Sequence, residues 1–225
     1  NGRTGSPSDV HPKGGDDMFT GLIEEVGTLK RKIPRPNGLA LEIEAHRVLE
    51  GTKIGDSIAV DGICLTVTSM SPTGFTADAV HDTIRSTALG TYRVGNPLQL
   101  ERAMPADGRF GGHFVSGHID GTARLISRRP DGEAMVYTFD VGSWQKYCIP
   151  KGSIAINGTS LTLQRVTSET ISISLIPHSR QVTTFDRLAS GAVVNIECDM
   201  MAKHLYHFTQ HEKQTDWAAF LGGDM

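Results

Sequence analysis

Residues Ser57-Ile58-Ala59-Val60-Asp61-Gly62-Ile63-Cys64-Leu65-Thr66-Val67 decide the fold. Ile58, Val60, Leu65 and Val67 alternate with smaller or polar residues on either side of Asp61-Gly62. Alternation with period two places apolar side chains on one face of a strand. Asp-Gly between two such runs signals a tight hairpin, because a type I′ turn needs positive φ at both central residues. The phrase returns 96 residues later as Ser153-Ile154-Ala155-Ile156-Asn157-Gly158-Thr159-Ser160-Leu161-Thr162-Leu163. Asn-Gly now fills the turn, an equivalent solution to the same backbone demand.

The echo extends outward from both hairpins. Phe19-Thr20-Gly21-Leu22-Ile23-Glu24 matches Val115-Ser116-Gly117-His118-Ile119-Asp120 at the same offset. Thr83 and Thr87 match Ser179 and Thr183, and Gly95 with Glu101 matches Gly191 with Glu197. Two copies of so long a unit do not make a solenoid, so tandem domains over 18–105 and 106–200 are predicted. Further strands are expected at Leu39–Glu44, Phe75–Ala79, Pro97–Glu101, Met135–Val141, Ile171–Leu175 and Val193–Glu197. Short helical turns are expected near Ser86–Leu89 and Trp144–Tyr147. Small antiparallel units hide their edges by closing, so the fold class is all-β: two similar six-stranded Greek-key barrels in tandem. After Met200 the pattern changes, and Met201, Leu205 and Phe208 recur at helical spacing. A C-terminal helix and tail over 201–225 should follow, packing on its own barrels or against other subunits.

The 225 residues are 38% hydrophobic and 21% charged, with a net charge of −3, as in an ordinary packed protein. That balance argues against nucleic acid or an anionic membrane as partner, since either favours a basic face. No apolar run approaches the roughly 18 residues of a membrane span. Residues 1–17 carry Gly, Pro, Ser and Asp without hydrophobic periodicity, and read as a disordered tag or cloning remnant ahead of Met18. Cys64, Cys148 and Cys198 are odd in number and lack metal-site spacing, which fits a reducing, cytoplasmic setting.

Phosphate loops, dinucleotide fingerprints, nucleophile elbows and zinc-protease motifs are missing from the sequence. Gly111-Gly112-His113-Phe114-Val115-Ser116-Gly117-His118 is either a flexible inter-barrel turn or, with its two histidines, part of a site. His204, His207 and His211 share one helical face and invite a zinc hypothesis, but a polar stripe on a solvated helix explains them without metal. Cys64 is a nucleophile or a small buried hydrophobe; Asp199 is a site carboxylate or a helix N-cap. The repeat favours the functional side. Cys64 with Thr66, and Ser160 with Thr162, occupy equivalent strand positions two apart and so share one face. Duplicated polar faces on a duplicated fold suggest two similar pockets for two similar ligands.

Four motifs together resemble the riboflavin synthase family: Met18-Phe19-Thr20-Gly21-Leu22-Ile23-Glu24, Asp61 to Val67, Gly111 to Ile119, and Asn157 to Thr162. The resemblance covers nearly all of Met18 to Met200. It implies two six-stranded barrels, a C-terminal helix that trimerises the chain, and active sites between subunits, where one chain's N-terminal barrel faces its neighbour's C-terminal barrel. It implies a dismutation of two 6,7-dimethyl-8-ribityllumazine molecules, giving riboflavin and 5-amino-6-ribitylamino-uracil by four-carbon transfer, without metal or cofactor. Association with lumazine synthase belongs to the same picture.

Carried over by position, the N-barrel pocket comprises Gly21, Leu22, Ile23, Cys64, Leu65, Thr66, Asp78, Ala79, Val80, His81, Asp82 and Thr83. The C-barrel pocket comprises Gly117, His118, Ile119, Lys151, Ser160, Leu161, Thr162, Leu175, Ile176, Pro177, His178, Ser179 and Arg180. Phe19, Ser57, Cys64, His118, Ser160 and Asp199 fall at positions linked to activity. His178-Ser179-Arg180 and the tail after Asp199 depart from the family pattern.

The lumazine ring withdraws electrons and makes its C7 methyl acidic, so much of the task is holding two heterocycles face to face. Alignment of that kind is worth roughly 7–11 kcal/mol in favourable cases. Thr66, Ser160 and Thr162 would fix the ligands, His118 would shuttle protons near neutral pH, and Cys64 or Ser160 would orient the group that adds at C7. Asp199 would support it electrostatically. A non-catalytic lumazine-binding antenna protein shares the two-barrel plan but needs one competent pocket. Retention of Ser160, Thr162, Lys151 and His118 in the second copy favours the enzyme. A flavin-dependent oxidoreductase would need a site for a second redox partner, and no motif supplies one.

Overall fold

The computed structural model describes residues 18–212, with side chains to residue 210. The expected tag before Met18 and the tail after Glu212 therefore lie outside the described residues. The first barrel contains β1 (Glu25–Arg35), β2 (Gly38–Glu44), β3 (Ser57–Val60), β4 (Ile63–Ser71), β5 (Gly74–Val80) and β6 (Pro97–Arg102). The second contains β7 (Gly121–Asp131), β8 (Ala134–Asp140), β9 (Ser153–Ile156), β10 (Thr159–Val166), β11 (Thr170–Leu175) and β12 (Val193–Cys198). Each closes completely, in the order 1-2-5-4-3-6 and 7-8-11-10-9-12, with antiparallel neighbours throughout. The crossing from β2 to β3 is the Greek-key step, and closure leaves no free sheet edge.

The two decisive hairpins form as their turn residues require. Asp61 and Gly62 have φ of 45° and 80°, and Asn157 and Gly158 have 46° and 79°. From these turns the alternation runs true: Ile58, Val60, Leu65 and Val67 face one core with Leu41, Ile43, Phe75 and Leu100. Ile154, Ile156, Leu161 and Leu163 face the other with Tyr137, Phe139, Ile173 and Ile196.

β1 and β7 did not stand out in the sequence, and their burial explains why. Each is 11 residues long but turns few apolar residues inward, chiefly Leu29 in one and Ala123 with Leu125 in the other. Bulges after Leu29 and Leu125 then break the period-two pattern. Two short helices, α1 (His81–Ser86) and α2 (Pro177–Gln181), follow β5 and β11 and bury no residue, so they leave no apolar signature. The expected C-terminal helix is α3 (Met200–Glu212). No described helix is long and apolar enough to cross a membrane.

The barrels pack about a local pseudo-twofold axis. Phe19 and Val115 form an antiparallel bridge, with Phe19 N–H donating to Val115 O at 2.8 Å and Val115 N–H returning to Phe19 O at 3.2 Å. Both are fully buried, in a cluster with Ala59 and Ala155. The hairpin turns meet back to back: a Cβ added at Gly62 would lie 2.7 Å from Gly158 N. Gln99 and Asn195, equivalent residues of β6 and β12, reach across. Gln99 Nε2–H donates to Asn157 O and Thr159 Oγ1, while Asn195 Nδ2–H donates to Asp61 O and Tyr92 Oη. Buried amides with both ends satisfied fix one relative orientation of the barrels.

Candidate active site

Cys64 and Ser160 each sit on the outer face of a barrel wall. On β4, Cys64 is half-buried and Thr66 exposed, while Leu65 points into the core. On β10, Ser160 and Thr162 repeat the arrangement, with Leu161 inward. The neighbouring strands extend each face: Asp78 and Val80 on β5, Ser174 and then Ile176 along β11, are exposed. His81, Asp82 and Thr83 open α1, and Pro177 to Arg180 lie in α2, so each face ends at an equivalent short helix. Leu65, Ala79, Leu161 and Leu175 turn their side chains into the cores, so they meet a ligand only through backbone. Ser174, the equivalent of Asp78, joins the C-barrel face although sequence reasoning passed it over.

The glycine-led segments are exchanged between barrels, contrary to their grouping by sequence copy. Ser160 N–H donates to Gly21 O at 2.8 Å, and Cys64 N–H donates to Gly117 O at 2.9 Å. Gly21-Leu22-Ile23 therefore lines the Ser160 face, and Gly117-His118-Ile119 lines the Cys64 face, where Ile119 packs on the N-barrel core. The approach demands glycine: at Gly21 (φ +76°) and Gly117 (φ +78°) an added Cβ would meet the Cβ of Ser160 or Cys64 at 2.5 Å. Leu22 and His118 occupy equivalent positions on opposite faces.

Ser160 has a further partner. His113 Nδ1 lies 2.7 Å from Ser160 Oγ. The His113 amide donates to Thr20 O at 3.2 Å, which anchors the residue's backbone beside the Gly21 segment. Burial holds the His113 imidazole below its usual pKa, against the opposing pull of the Asp199 carboxylate. Asp199 also caps α3, accepting from Met201 N–H at 2.8 Å, as its N-cap reading expects. Sequence reasoning noted His113 only within the glycine-rich segment and gave it no role; His118, which received one, lies on the other face.

The remaining residues have clear places. Phe19 is wholly buried under the Gly21 segment and acts through packing. Ser57 lines a cavity of about 670 Å³ with Thr20, Leu22, Arg102 and Arg109, and neither Cys64 nor Ser160 is among its lining residues. Lys151 is exposed with φ +67°, where the first copy has Gly55 at +94°. A lysine held in a conformation that suits glycine is a strained residue, and such residues collect at functional sites. Among the described residues no group of three or more His, Cys, Asp or Glu is placed to hold a metal ion; His204 Nδ1 instead lies 2.8 Å from Met200 O.

A family model for the lumazine binding domain matches residues 20–103 and again 116–199, the same offset as the internal repeat. Riboflavin synthase of Bacillus subtilis (strain 168) is 46% identical over 210 residues, spanning 91% of this chain and 98% of that protein. The chain belongs to the riboflavin synthase family. A fungal riboflavin synthase, from Schizosaccharomyces pombe, is 40% identical over 190 residues, covering 83% of this chain and 91% of its own. Among solved structures, LumP complexed with 6,7-dimethyl-8-(1′-D-ribityl)lumazine superposes with a TM-score of 0.72 over 80% of this chain and 98% of LumP. LumP complexed with riboflavin gives 0.72 over the same shares. Their identities of 22% and 23% make these likenesses of fold.

Proposed function

We propose that this chain is a riboflavin synthase, converting two molecules of 6,7-dimethyl-8-ribityllumazine into riboflavin and 5-amino-6-ribitylamino-uracil. The observation that carries the reading is the pair of equivalent outer faces, Cys64 with Thr66 and Ser160 with Thr162, each crossed by a glycine segment from the other copy. One chain thus presents two cradles of the same shape for two copies of one ligand. Hydroxyls of Thr66, Thr162 and Ser174, the Asp78 carboxylate and the Lys151 amine supply polar partners, while Val80 and Ile176 supply apolar contact beneath a flat ring.

The two cradles differ in their chemistry. Neutral His113 accepts a proton from Ser160 Oγ–H, or from water held there, and so directs a nucleophile toward C7 of the lumazine on the Ser160 face. On the Cys64 face His118 takes the proton from the acidic C7 methyl of the second lumazine. Asp199 favours the imidazolium that forms at His113. Most of the acceleration comes from holding the two rings in line, as the lumazine's own electron withdrawal makes it both acid and electrophile.

For the two lumazines to touch, the Cys64 face of one chain must meet the Ser160 face of another. Met201, Leu205 and Phe208 form an exposed apolar stripe on α3, at 65%, 63% and 62% of full exposure, which supports a homotrimer assembled through that helix. A cytoplasmic location fits three cysteines that form no disulfide with one another. Association with lumazine synthase belongs to the same proposal.

The test is incubation of purified protein with 6,7-dimethyl-8-ribityllumazine alone, in EDTA, following riboflavin by its fluorescence. Formation of one riboflavin per two lumazines supports the reading. Binding without product would make the chain an antenna-type protein instead.

A further inference from the structure

Two buried carboxylates hold the exchanged segments, and each belongs to the barrel opposite the face it serves. Glu101 on β6 is 4% exposed and accepts three hydrogen bonds: from Thr20 N–H and Thr20 Oγ1–H at 2.7 Å each, and from Gly21 N–H at 3.0 Å. Gly21 O then accepts from Ser160 N–H, and Thr20 O from His113 N–H. Both backbone anchors of the Ser160–His113 pair therefore hang from one N-barrel carboxylate. Glu197 on β12 is 3% exposed and repeats the clamp on Ser116 N–H, Ser116 Oγ–H and Gly117 N–H at 2.7, 2.7 and 3.0 Å. Gly117 O in turn accepts from Cys64 N–H.

We propose that Glu101 and Glu197 are positioning residues wired across the pseudo-twofold axis: Glu101 of the N-terminal barrel sets the Ser160 half-site of the C-terminal barrel, and Glu197 sets the Cys64 half-site of the N-terminal barrel. The inference rests on the reading of these faces as lumazine half-sites. A carboxylate suits the task because it accepts at both oxygens and donates at neither, so it can gather three donors from one tight turn. Burial pushes both carboxyls above their usual pKa, and the three donors pull back, as expected for charges retained for their hydrogen bonds.

Glu101→Gln keeps the size of the side chain but turns an amide N–H₂ toward Gly21 N–H, donor against donor. That loosens Gly21 and with it the Ser160 face. A carboxylate that merely braced its own barrel would instead disturb β4 and Cys64.

The experiment reads thiol alkylation by peptide mass spectrometry at Cys64 in the parent chain, and at position 160 in a Ser160→Cys form carrying Cys64→Ser. Without ligand, Glu197→Gln should speed alkylation at Cys64 by about tenfold and leave position 160 within about twofold, with one factor of ten equal to about 1.4 kcal/mol. Glu101→Gln should do the reverse. Riboflavin should protect both thiols in the unsubstituted forms, and each variant should lose protection only at the crossed position. Thr20→Val and Ser116→Ala, which remove one leg of each clamp, should give the same crossed pattern more weakly if a glutamine variant does not fold. Loss at Cys64 in Glu101→Gln, or equal loss at both positions in either variant, overturns the proposal. Failure of riboflavin to protect either thiol in the unsubstituted forms would overturn the half-site reading alone, since the ligand-free rates still report the wiring.

Discussion

Asp61 and Asn157 hold the same place in the two barrels, yet only Asp61 can ionise. Each is the first residue of its turn, with φ of 45° and 46°, and each side-chain oxygen accepts a backbone N–H at 2.8 Å, from Gln99 and Asn195 respectively. Burial pushes the Asp61 carboxyl up to about 7 from an ordinary 3.8, against the pull of the Gln99 amide and the Tyr92 hydroxyl. A raised acid is protonated in the folded chain while the unfolded chain has already ionised, so stability falls as pH rises from about 4 to about 7. Those values span roughly 3 pH units, and at 1.36 kcal/mol per unit the loss is at most about 4 kcal/mol. Asp61→Asn, which copies the second barrel, should raise the unfolding free energy at pH 8 and leave it nearly unchanged at pH 4. Urea titrations at the two pH values decide this; a variant less stable than the parent at pH 8 would refute it.

The turns that carry these residues touch at Gly62 and Gly158, and the contact makes a separate prediction. Gly62→Ala places a methyl 2.7 Å from a backbone nitrogen and at φ +80°, whereas Gly51→Ala, at φ +76°, meets nothing within 4 Å. The second substitution costs the left-handed conformation alone, about 1 kcal/mol. The first adds a clash that only separation of the barrels relieves, so Gly62→Ala should cost at least about 2 kcal/mol more than Gly51→Ala. Equal melting temperatures for the two variants would show that the turns do not bear on each other.

The hairpins, the repeat and the barrel closure were legible because turn chemistry is local and Asp61-Gly62 recurs as Asn157-Gly158. β1 and β7 were not, since bulges after Leu29 and Leu125 hide the alternation. The repeat also showed that Gly21 and Gly117 are equivalent without showing what they touch. A symmetric pair satisfies own-barrel and crossed packing equally well on paper, and the hydrogen bond from Ser160 N–H to Gly21 O at 2.8 Å selects the crossed one. His113 escaped for a related reason. Its equivalent in the first copy is Asp17, so the argument that raised Cys64 and Ser160 above ordinary polar residues had no purchase on it.

His113 should therefore matter more on the Ser160 face than any residue the repeat picked out. His113→Gln should lower kcat by about 10²–10⁴, the usual worth of a positioned general base. Asp199 holds the imidazole pKa up against burial, so Asp199→Asn should let it fall further. A base that must be neutral loses activity as pH drops through its pKa. The acid limb of kcat/KM should consequently move to lower pH in Asp199→Asn, and movement to higher pH would exclude the pairing.

The stripe on α3 bears on where catalysis happens. Leu205 and Phe208 are 63% and 62% exposed in a single chain, on a helix whose inward side is held by Lys203 to Asp120 at 2.9 Å and by Tyr206 against Tyr147. Leu205→Glu with Phe208→Glu should thus spare the helix and remove the reason for chains to associate. Light scattering should then report the 24.3 kDa chain in place of three times that mass. On the proposed reading each half-site is complete within one chain, so riboflavin should still protect Cys64 from alkylation in the monomer. Turnover should nevertheless vanish, because no second face remains to bring a partner lumazine against the first. A fully active monomer would mean that both lumazines meet within one chain, and a double variant of unchanged mass would mean that the stripe is not the interface.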